Sequence, residues 1–356
     1  MSNDMKKKIL IGLGICIVVL IAIFFIFNGK GDSNNNNSNN SKKGNNNGGI
    51  NNNSGGTETV EKVDIIDINS NTRPFAVVVN NTPVAVKVQE GLNQAYIVYE
   101  VPTEGSTSRL IALFKDIDNV TIGTIRSVRH NFIDFAYESN AILVGYGWSV
   151  YAEKELRAGI IDNMNGMIED YPYWRNNPEG LASEHTAYTS TAKIREYAQQ
   201  KGYALTGYNT VLLKYNTGDV DLSGKTGAIP ANGVSVPYGS NHTYFAYNAE
   251  NKVYYKVVNN VWITDHATGE NISTKNIIVE KINYGMMDNN YYWDLYDVGS
   301  GDGYFITNGY AVPIKWNKPS RSAKTTYTYL DGTEIEVSDG RTYIEVQVNN
   351  QPLTIE

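Results

Sequence analysis

Cysteine is nearly absent from this chain of 356 residues, which has only one, Cys16, near its N-terminus. A disulfide framework and a thiolate metal site are therefore excluded from the rest of the chain. The four histidines are scattered and form no H-x-x-x-H pair, so the sequence predicts no zinc site. We expect neither a metal nor a cofactor.

Basic blocks and the common catalytic signatures are missing as well. Lys and Arg number 30 against 37 Asp and Glu, and the net charge of −7 is not that of a nucleic-acid-binding protein. The chain has no G-x-S-x-G motif, P-loop or Cys–His pair, which argues against serine hydrolases, P-loop enzymes and cysteine enzymes. The glycine-rich residues 299–303 are followed by no helical pattern, so they predict a hairpin turn rather than a phosphate site.

An uncharged apolar run begins at Ile9 and ends at Phe27, directly after three lysines at positions 6–8. At ~1.5 Å per residue in a helix, this run matches the ~30 Å hydrocarbon core of a bilayer. We predict a retained transmembrane helix at residues 9–27, with residues 1–8 in the cytoplasm and the bulk of the chain outside, because the lysines precede the helix. The alternative is a lipoprotein signal ending at Cys16, but bulky Ile15 precedes this cysteine and the apolar run continues beyond it.

Residues 28–58 consist mostly of Asn, Gly and Ser. Such a segment buries too little apolar surface to offset its ordering entropy, which predicts a disordered tether. A flexible coil of ~30 residues has a mean span of about 30 Å. We therefore expect the folded part to lie close to the membrane, within the cell wall.

Residues 73–215 alternate strand-like and helix-like patterns. Apolar runs predict strands at residues 75–79, 95–101, 109–114 and 141–146, the second and third joined as a hairpin. Helical spacing predicts helices at residues 127–138, 149–158 and 189–201, with Ser127 as the N-cap of the first and with Gly159 and Gly202 just past the other two. This order predicts an α/β-like lobe in which helices cover a mixed sheet.

Residues 236–350 show short runs of Tyr, Val and Thr instead. We predict a mostly β lobe, a curled sheet or partial barrel, with strands at residues 243–247, 253–258, 276–282, 304–307 and 343–348. Turn dipeptides, among them Asp302-Gly303 and Asn308-Gly309, predict hairpins. The join at residues 216–237 is rich in Gly, Asn and Pro. The predicted fold class is therefore α+β, in two lobes behind a membrane anchor.

Six stretches of the folded part carry a family resemblance: RPFAVVVNN (73–81), VQEGLNQAYIVYE (88–100), EGSTSRLIALF (104–114), IGTIRSVR (122–129), VGSGDGYFITNG (298–309) and IKWNKPSRS (314–322). With these stretches the chain resembles the YerB-like family. The resemblance implies an extracytoplasmic lipoprotein of Gram-positive, often spore-forming, bacteria with two adjoining domains of unknown function, and it supplies no established chemistry. The chain departs from the family by its predicted transmembrane helix and by His185-Thr186, where the family has a His-Asn pair.

The candidate functional residues concentrate in residues 99–130, YEVPTEGSTSRLIALFKDIDNVTIGTIRSVRH. Glu100 ends a predicted strand and Glu104 lies on the following turn, so their carboxylates could lie within several ångströms of each other. A glycosidase uses two carboxyl groups at the glycosidic bond, whereas a lytic transglycosylase would need only one. The alternative is that both glutamates pair with nearby arginines as structural ion pairs. Arginine partners would hold the glutamates ionised, which disfavours an acid catalyst.

Three arginines, Arg109, Arg126 and Arg129, are the candidate ligand-binding residues. Arg126 and Arg129 flank the helix start predicted at Ser127, where free N–H groups and guanidinium groups favour an anionic ligand. The alternative is that they only attach this helix to the sheet. His185, in a polar stretch before a predicted helix, is a further candidate for a catalytic or ligand-orienting role, although such a loop histidine is often merely exposed or capping.

These features leave two classes of function open. The first is a membrane-anchored envelope protein that binds an anionic wall polymer, a peptidoglycan fragment or a protein partner. The second is a wall-active glycosidase or lytic transglycosylase that uses Glu100 or Glu104. The family resemblance adds a sporulation-related envelope factor. Binding is preferred, because arginines near both glutamates disfavour acid catalysis.

Overall fold

The computed structural model describes residues 63–177, 179–208, 211–287 and 291–356. The predicted cytoplasmic tail, the transmembrane helix at residues 9–27 and the tether at residues 28–58 lie outside these residues. Across the described ranges, no helix is both long enough and apolar enough to cross a membrane. The described residues belong to one compact unit.

Strands outnumber helices in the described part of the chain. Its α-helices are α1 (His130–Tyr137), α2 (Val150–Arg157) and α3 (Thr191–Gln200). Its strands are β1 (Phe75–Asn80), β2 (Ile97–Thr103), β3 (Thr107–Phe114), β4 (Thr121–Gly123), β5 (Ile142–Gly145), β6 (Asn163–Asn165), β7 (Trp174–Arg175), β8 (Ala187–Ser190), β9 (Ile229–Pro230), β10 (Gly233–Tyr238), β11 (Asn241–Asn248), β12 (Val253–Val258), β13 (Val261–Trp262), β14 (Ser273–Thr274), β15 (Asn276–Ile282), β16 (Tyr284–Met286), β17 (Trp293–Leu295), β18 (Gly299–Thr307), β19 (Tyr310–Lys318), β20 (Thr326–Tyr329), β21 (Thr342–Val348) and β22 (Thr354–Ile355). The fold is mixed α/β with few helices.

One sheet of eleven strands runs in the order β20-β19-β18-β15-β21-β2-β3-β1-β5-β6, with β9 beside β19. Strand β21 pairs in parallel with β15 on one side and with β2 on the other. Strands from both predicted lobes therefore share this sheet. Residues 236–350 are mostly β-strand, as expected. They do not form one curled sheet or partial barrel, because β21 pairs with the open edge of β2 and extends the sheet of the first lobe.

A second sheet packs over one face of the large sheet, while α1 and α2 pack over the other. The second sheet has the order β13-β12-β11-β10-β22, with β14 beside β12. Along β1, Val77 and Val79 lie in the core cluster that contains Phe245 of the second sheet, whereas Val78 lies in the cluster that contains Phe132 of α1. Both faces of β1 are thus buried, which explains why its sequence is continuously apolar rather than alternating.

Most predicted elements of the first lobe are confirmed. The four predicted strands correspond to β1, β2, β3 and β5, and β2 and β3 form the expected antiparallel hairpin. Helices α2 and α3 begin after Ser149 and Ser190, whose hydroxyl oxygens accept hydrogen bonds from backbone N–H groups of the first turn. Gly159 and Gly202, both at φ +74°, follow the last turns. Local capping chemistry therefore determined these ends.

The helix predicted at residues 127–138 is shorter than expected, since α1 begins at His130 and Ser127 is not its N-cap. The Ser127 hydroxyl instead donates to Tyr146 O at 3.1 Å. Val128 N donates to Gly147 O at 2.9 Å. These bonds hold the chain before α1 against the loop that follows β5, so the helix starts only after them.

The glycine-rich residues 299–303 form the first part of β18 and not the predicted hairpin turn. A Cβ atom on Gly303 would lie 2.2 Å from Val279 O of β15, so this glycine permits a close approach of two strands. The turn predicted at Asp302-Gly303 is therefore wrong. The turn predicted at Asn308-Gly309 is confirmed, because it joins β18 to β19.

A buried ion pair joins the two sheets. Lys256 Nζ of β12 lies 2.7 Å from Glu100 Oε2 of β2, and the two side chains are 1% and 0% exposed. Burial opposes the charge of Lys256, but the Glu100 carboxylate outweighs burial and raises the pKa of Lys256. Glu345, paired with Glu100 across the β2–β21 ladder, is fully buried as well. Burial and then the charge of Glu100 raise the pKa of Glu345 well above its ordinary range.

A second group of buried charges lies beneath α1. Lys318 Nζ of β19 lies 3.0 Å from Glu138 Oε2, and both side chains are 1% exposed. Nearby Asp297 is buried, and its Oδ2 has no hydrogen-bond partner among the described residues. Burial, followed by the charge of Asp134, raises the pKa of Asp297 to about 8. The folded protein thus holds a proton on Asp297 that the unfolded chain would release near pH 4.

Replacing Lys256 by Met tests the inter-sheet ion pair. The substitution leaves the Glu100 carboxylate buried without a cation, so we expect the free energy of unfolding in urea to fall by about 3–5 kcal/mol. Adding Glu100→Gln should recover part of this loss, because it removes the unpaired charge. As a control, Lys315→Met removes a lysine that is 55% exposed and should change stability by less than about 0.5 kcal/mol. A loss below about 1 kcal/mol for Lys256→Met would contradict the assignment.

The pH dependence of Asp297→Asn tests the second buried group. Because the folded pKa of Asp297 lies above the unfolded one, its contribution to stability is complete below about pH 4 and is lost as the pH rises towards 8. The variant cannot ionise there, so between pH 5 and pH 8 its free energy of unfolding should rise relative to wild type by about 3 kcal/mol. The exposed control Asp302→Asn should give a flat difference. A flat difference for Asp297→Asn would exclude the shifted ionisation.

Candidate functional site

The candidate site lies where β1, β2 and β5 end. Strands β1 and β5 are parallel, and β1 and β2 each pair antiparallel with β3 between them, so all three end at the same edge of the sheet. Ligands of open α/β sheets commonly bind at such carboxyl ends. Five side chains lie near this edge, and we call this group the arginine edge. It consists of Arg109 at the start of β3, Arg126 and Arg129 before α1, Glu104 on the β2–β3 turn, and His185.

Glu104 is held by two arginines. Arg129 Nε donates to both carboxylate oxygens, at 2.9 and 2.8 Å, and Arg129 Nη2 also contacts Oε1. Arg109 Nη2 lies 3.7 Å from the same Oε1, and Arg109 Nη1 donates to Ser127 O at 2.6 Å. Burial alone would raise the pKa of Glu104, but the hydrogen bonds and charge of Arg129 and then the charge of Arg109 outweigh it and lower this pKa. Glu104 is therefore ionised at neutral pH and is no acid catalyst.

Arg126 and His185 meet at Glu184. Arg126 Nη2 donates to Glu184 Oε1 at 3.2 Å, and His185 Nε2 lies 3.4 Å from the same oxygen. Asn80 Nδ2 lies 2.8 Å from His185 Nδ1, while Asn80 Oδ1 accepts from Thr82 N. Asn80 thus donates to Nδ1 and leaves the ring hydrogen on Nε2. Burial lowers the pKa of His185, although Glu184 opposes the shift, so the ring is neutral at pH 7.

Glu100 lies apart from this edge. It is fully buried between the sheets, where its carboxylate accepts from Asn81, Ser108 and Lys256. A substrate cannot reach a carboxylate in this position. The ion pair expected for Glu100 is present, but its partner is Lys256 and not an arginine. The only sign of this partner in the sequence is a lysine within the apolar strand run VYYKVV.

His130, the last residue of the candidate stretch, lies next to Glu104, although the sequence alone assigned it no role. A small cavity of about 10 Å³ there is lined by Pro102, Thr103, Glu104, Arg129, His130, Asn131, Tyr292 and Trp293. His130 is 8% exposed, and neither ring nitrogen has a hydrogen-bond partner in the described part of the chain. Burial lowers its pKa, although Asp294 opposes the shift. A wider pocket of 380 Å³ lies far along the sheet, at β19 and β20.

The structure therefore brings Glu104, Arg109 and Arg129 together as mutual partners and places Arg126 and His185 beside them at Glu184. Tyr292 and Trp293 line the small cavity beside Glu104, and the Glu104 side chain is 10% exposed. Within the described ranges, no group of three or more His, Cys, Asp or Glu side chains is placed to hold a metal ion. The guanidinium groups of the arginine edge are suited to binding an anion.

Comparison with known proteins covers most of the chain. Two family models match, the N-terminal domain of a protein of unknown function (DUF3048) at residues 63–204 and the C-terminal domain of the same family at residues 234–344. A curated relative from Bacillus subtilis (strain 168), named "Putative lipoprotein YerB", is 31% identical over 294 residues, which are 80% of each chain. The crystal structure of the YerB protein from Bacillus subtilis matches with a TM-score of 0.69 at 28% identity, covering 80% of this chain and 94% of that one.

These matches agree with the resemblance found in the sequence stretches and confirm it. They extend over both halves of the described structure and include the residues of the arginine edge. The matched family carries no assigned activity in its description. The chain belongs to the YerB-like family of proteins with N- and C-terminal DUF3048 domains.

Proposed function

We propose that this protein is a membrane-anchored, extracytoplasmic envelope protein that binds an anionic ligand at the arginine edge. The location is supported by the name of its Bacillus subtilis relative, "Putative lipoprotein YerB", and by the lysines and apolar run of residues 6–27. The transmembrane helix is the finer part of the proposal, and lipidation at Cys16 is its alternative. Outside the cell, the available anionic groups are carboxylates of peptidoglycan stem peptides, phosphates of wall polymers and acidic protein partners.

One observation carries the binding proposal, an excess of guanidinium groups over carboxylates. Among the described residues, the carboxylates that pair with Arg109, Arg126 and Arg129 are those of Glu104 and Glu184. Glu184 is 55% exposed, so its pair with Arg126 is weakly held. Arg126 Nε is buried and has no hydrogen-bond partner among the described residues. An anionic ligand would supply both the missing charge and the missing acceptor.

The wall-active enzyme is not part of the proposal. A glycosidase or lytic transglycosylase needs a carboxyl group that touches the glycosidic bond. Glu100 is fully buried and paired with Lys256. Glu104 is paired with Arg129, which lowers its pKa rather than keeping it protonated. A sporulation-related role rests on the family resemblance alone and is likewise set aside.

Binding to isolated cell walls tests the proposal. The full-length protein, in detergent micelles, is mixed with insoluble peptidoglycan with and without its attached anionic polymers, and the sedimented fraction is measured. Arg126→Ala should weaken binding about tenfold or more, because a hydrogen-bonded charge contributes about 1.5–3 kcal/mol. Binding should also weaken as the salt concentration rises.

The matched control is Arg157→Ala, which removes an arginine that is 58% exposed and paired with Glu153 on α2. It should bind like wild type, and all variants should keep the wild-type melting temperature within a few degrees. Equal binding by Arg126→Ala and wild type, or no binding by the wild-type protein, would contradict the proposal.

A further inference from the structure

Glu104 occupies a position that resembles a bound ligand more than an ordinary surface ion pair. Arg129 contacts both of its carboxylate oxygens, and Arg109 approaches one of them. The three side chains are only 10–13% exposed. Two guanidinium groups around one carboxylate form the planar, bidentate geometry with which proteins bind carboxylate ligands.

The surroundings of Glu104 contain donors that the protein itself does not use. His130 lines the same small cavity, and both of its ring nitrogens lack hydrogen-bond partners among the described residues. The nearest carboxylate oxygen, Asp294 Oδ1, is 3.9 Å from His130 Nε2, too far for a hydrogen bond. Helix α1, which starts at His130, has no acidic residue in its first turn and no side-chain cap. Unpartnered buried donors are costly and call for an acceptor.

The carboxylate of Glu104 can leave this position without a change in the β2–β3 hairpin. Its backbone oxygen accepts from Thr107 Oγ1 at 3.2 Å, which fixes the turn independently of the side chain. The following residue, Gly105, has φ +73°, and a Cβ atom there would meet nothing within 4 Å. The backbone of the turn is thus fixed without the Glu104 carboxylate, and the turn is open to solvent at Gly105.

We propose that Glu104 is an internal occupant of a carboxylate-binding site and that the carboxylate of an external ligand displaces it. This inference rests on the proposed function and specifies it, because it names the chemical group that binds. Arg129 binds the ligand carboxylate bidentately, Arg109 adds the second positive charge, and His130 offers its unpartnered ring nitrogens to the rest of the ligand. Tyr292 and Trp293 form aromatic walls that limit the ligand to a small acyl-peptide terminus or a sugar acid.

Chemical rescue of Glu104→Ala tests the site itself. The substitution leaves the arginines unpaired and makes room for propionate, whose CH2–COO⁻ end replaces the CH2–COO⁻ group that alanine lacks. In the full-length protein, millimolar propionate should raise the melting temperature of Glu104→Ala by about 3 °C or more. Propionamide, of the same shape but without charge, should not. Adding Arg129→Lys should abolish the effect of propionate, because lysine keeps the charge but cannot bind bidentately.

Two comparisons sharpen this test. Glu153→Ala removes a glutamate that pairs with Arg157 on the exposed surface of α2, and propionate should leave its melting temperature unchanged. N-acetylalanine and glucuronate then distinguish a peptide carboxylate from a sugar acid by calorimetry. Whichever of these two ligands the site recognises should bind Glu104→Ala about tenfold more tightly than wild type, because the competing carboxylate of Glu104 is gone.

The outcomes separate this inference from the proposed function. Wall binding that depends on Arg126, with no preference of Glu104→Ala for propionate over propionamide, would overturn the inference and leave the function standing. Propionate rescue without any wall binding would support the carboxylate site and overturn the function. If Glu104→Ala does not fold, Glu104→Gln is tested for tighter binding of the same two ligands. Failure of both variants to fold would also overturn the inference, because a displaceable occupant cannot be required for folding.

Discussion

The ion pair of Lys256 with Glu100 is the interaction on which the rest of the arrangement depends. It lies between the two sheets, fully buried, and joins β12 of the second sheet to β2 of the large one. Removing two charges from water is expensive, so the pair specifies how the sheets dock more than it adds stability. A neighbouring contact also joins the two sheets. Ser240 N, in the turn of the β10–β11 hairpin, donates to Ser106 O, in the turn of the β2–β3 hairpin, at 2.7 Å. The β2–β3 turn is thereby held over the edge of the sheet.

This constraint gives two glutamates four residues apart opposite environments. Glu100 faces the second sheet and is neutralised by a lysine, while Glu104, at the turn, faces outward to the arginines. Their spacing looked suitable for a pair of catalytic carboxylates, but they lie in different environments and neither is an available acid. The remaining excess of positive charge at the arginine edge is the feature that calls for a ligand. Both the proposed function and the carboxylate site follow from that excess.

Local features of this protein could be predicted from its sequence, whereas long-range partnerships could not. The apolar runs of β1 and β3 and the serines before α2 and α3 act within a few residues, so pattern and capping rules located them. The partner of Glu100 is 156 residues away in the chain, and that of His185 is 105 residues away on β1. The periodicity of a sequence indicates which face of a helix or strand a residue occupies, but not which residue it pairs with so far along the chain. The shared sheet was missed for the same reason, because β21 gives no local sign that it pairs with β2.

Some of the residues proposed from the sequence as a functional site lie together in the structure. Arg109, Arg129 and Glu104 were all singled out and lie together, and an ion-pair role for the glutamates was among the alternatives. Ser127 was misplaced as a helix cap because its backbone neighbours bond to the loop after β5, a tertiary contact that overrides a favourable capping residue. His130 ends the candidate stretch but was given no role, because a single histidine in an apolar helix has no distinctive sequence pattern.

The central claim is that this protein binds the cell wall without cleaving it. The most direct measurement is to incubate the full-length protein with purified peptidoglycan and to analyse the soluble fraction by mass spectrometry. The account predicts that wild type, Glu100→Gln and Glu104→Gln release no more muropeptide than a sample without protein. Release of anhydro-muropeptides by wild type that Glu100→Gln or Glu104→Gln abolishes would contradict it.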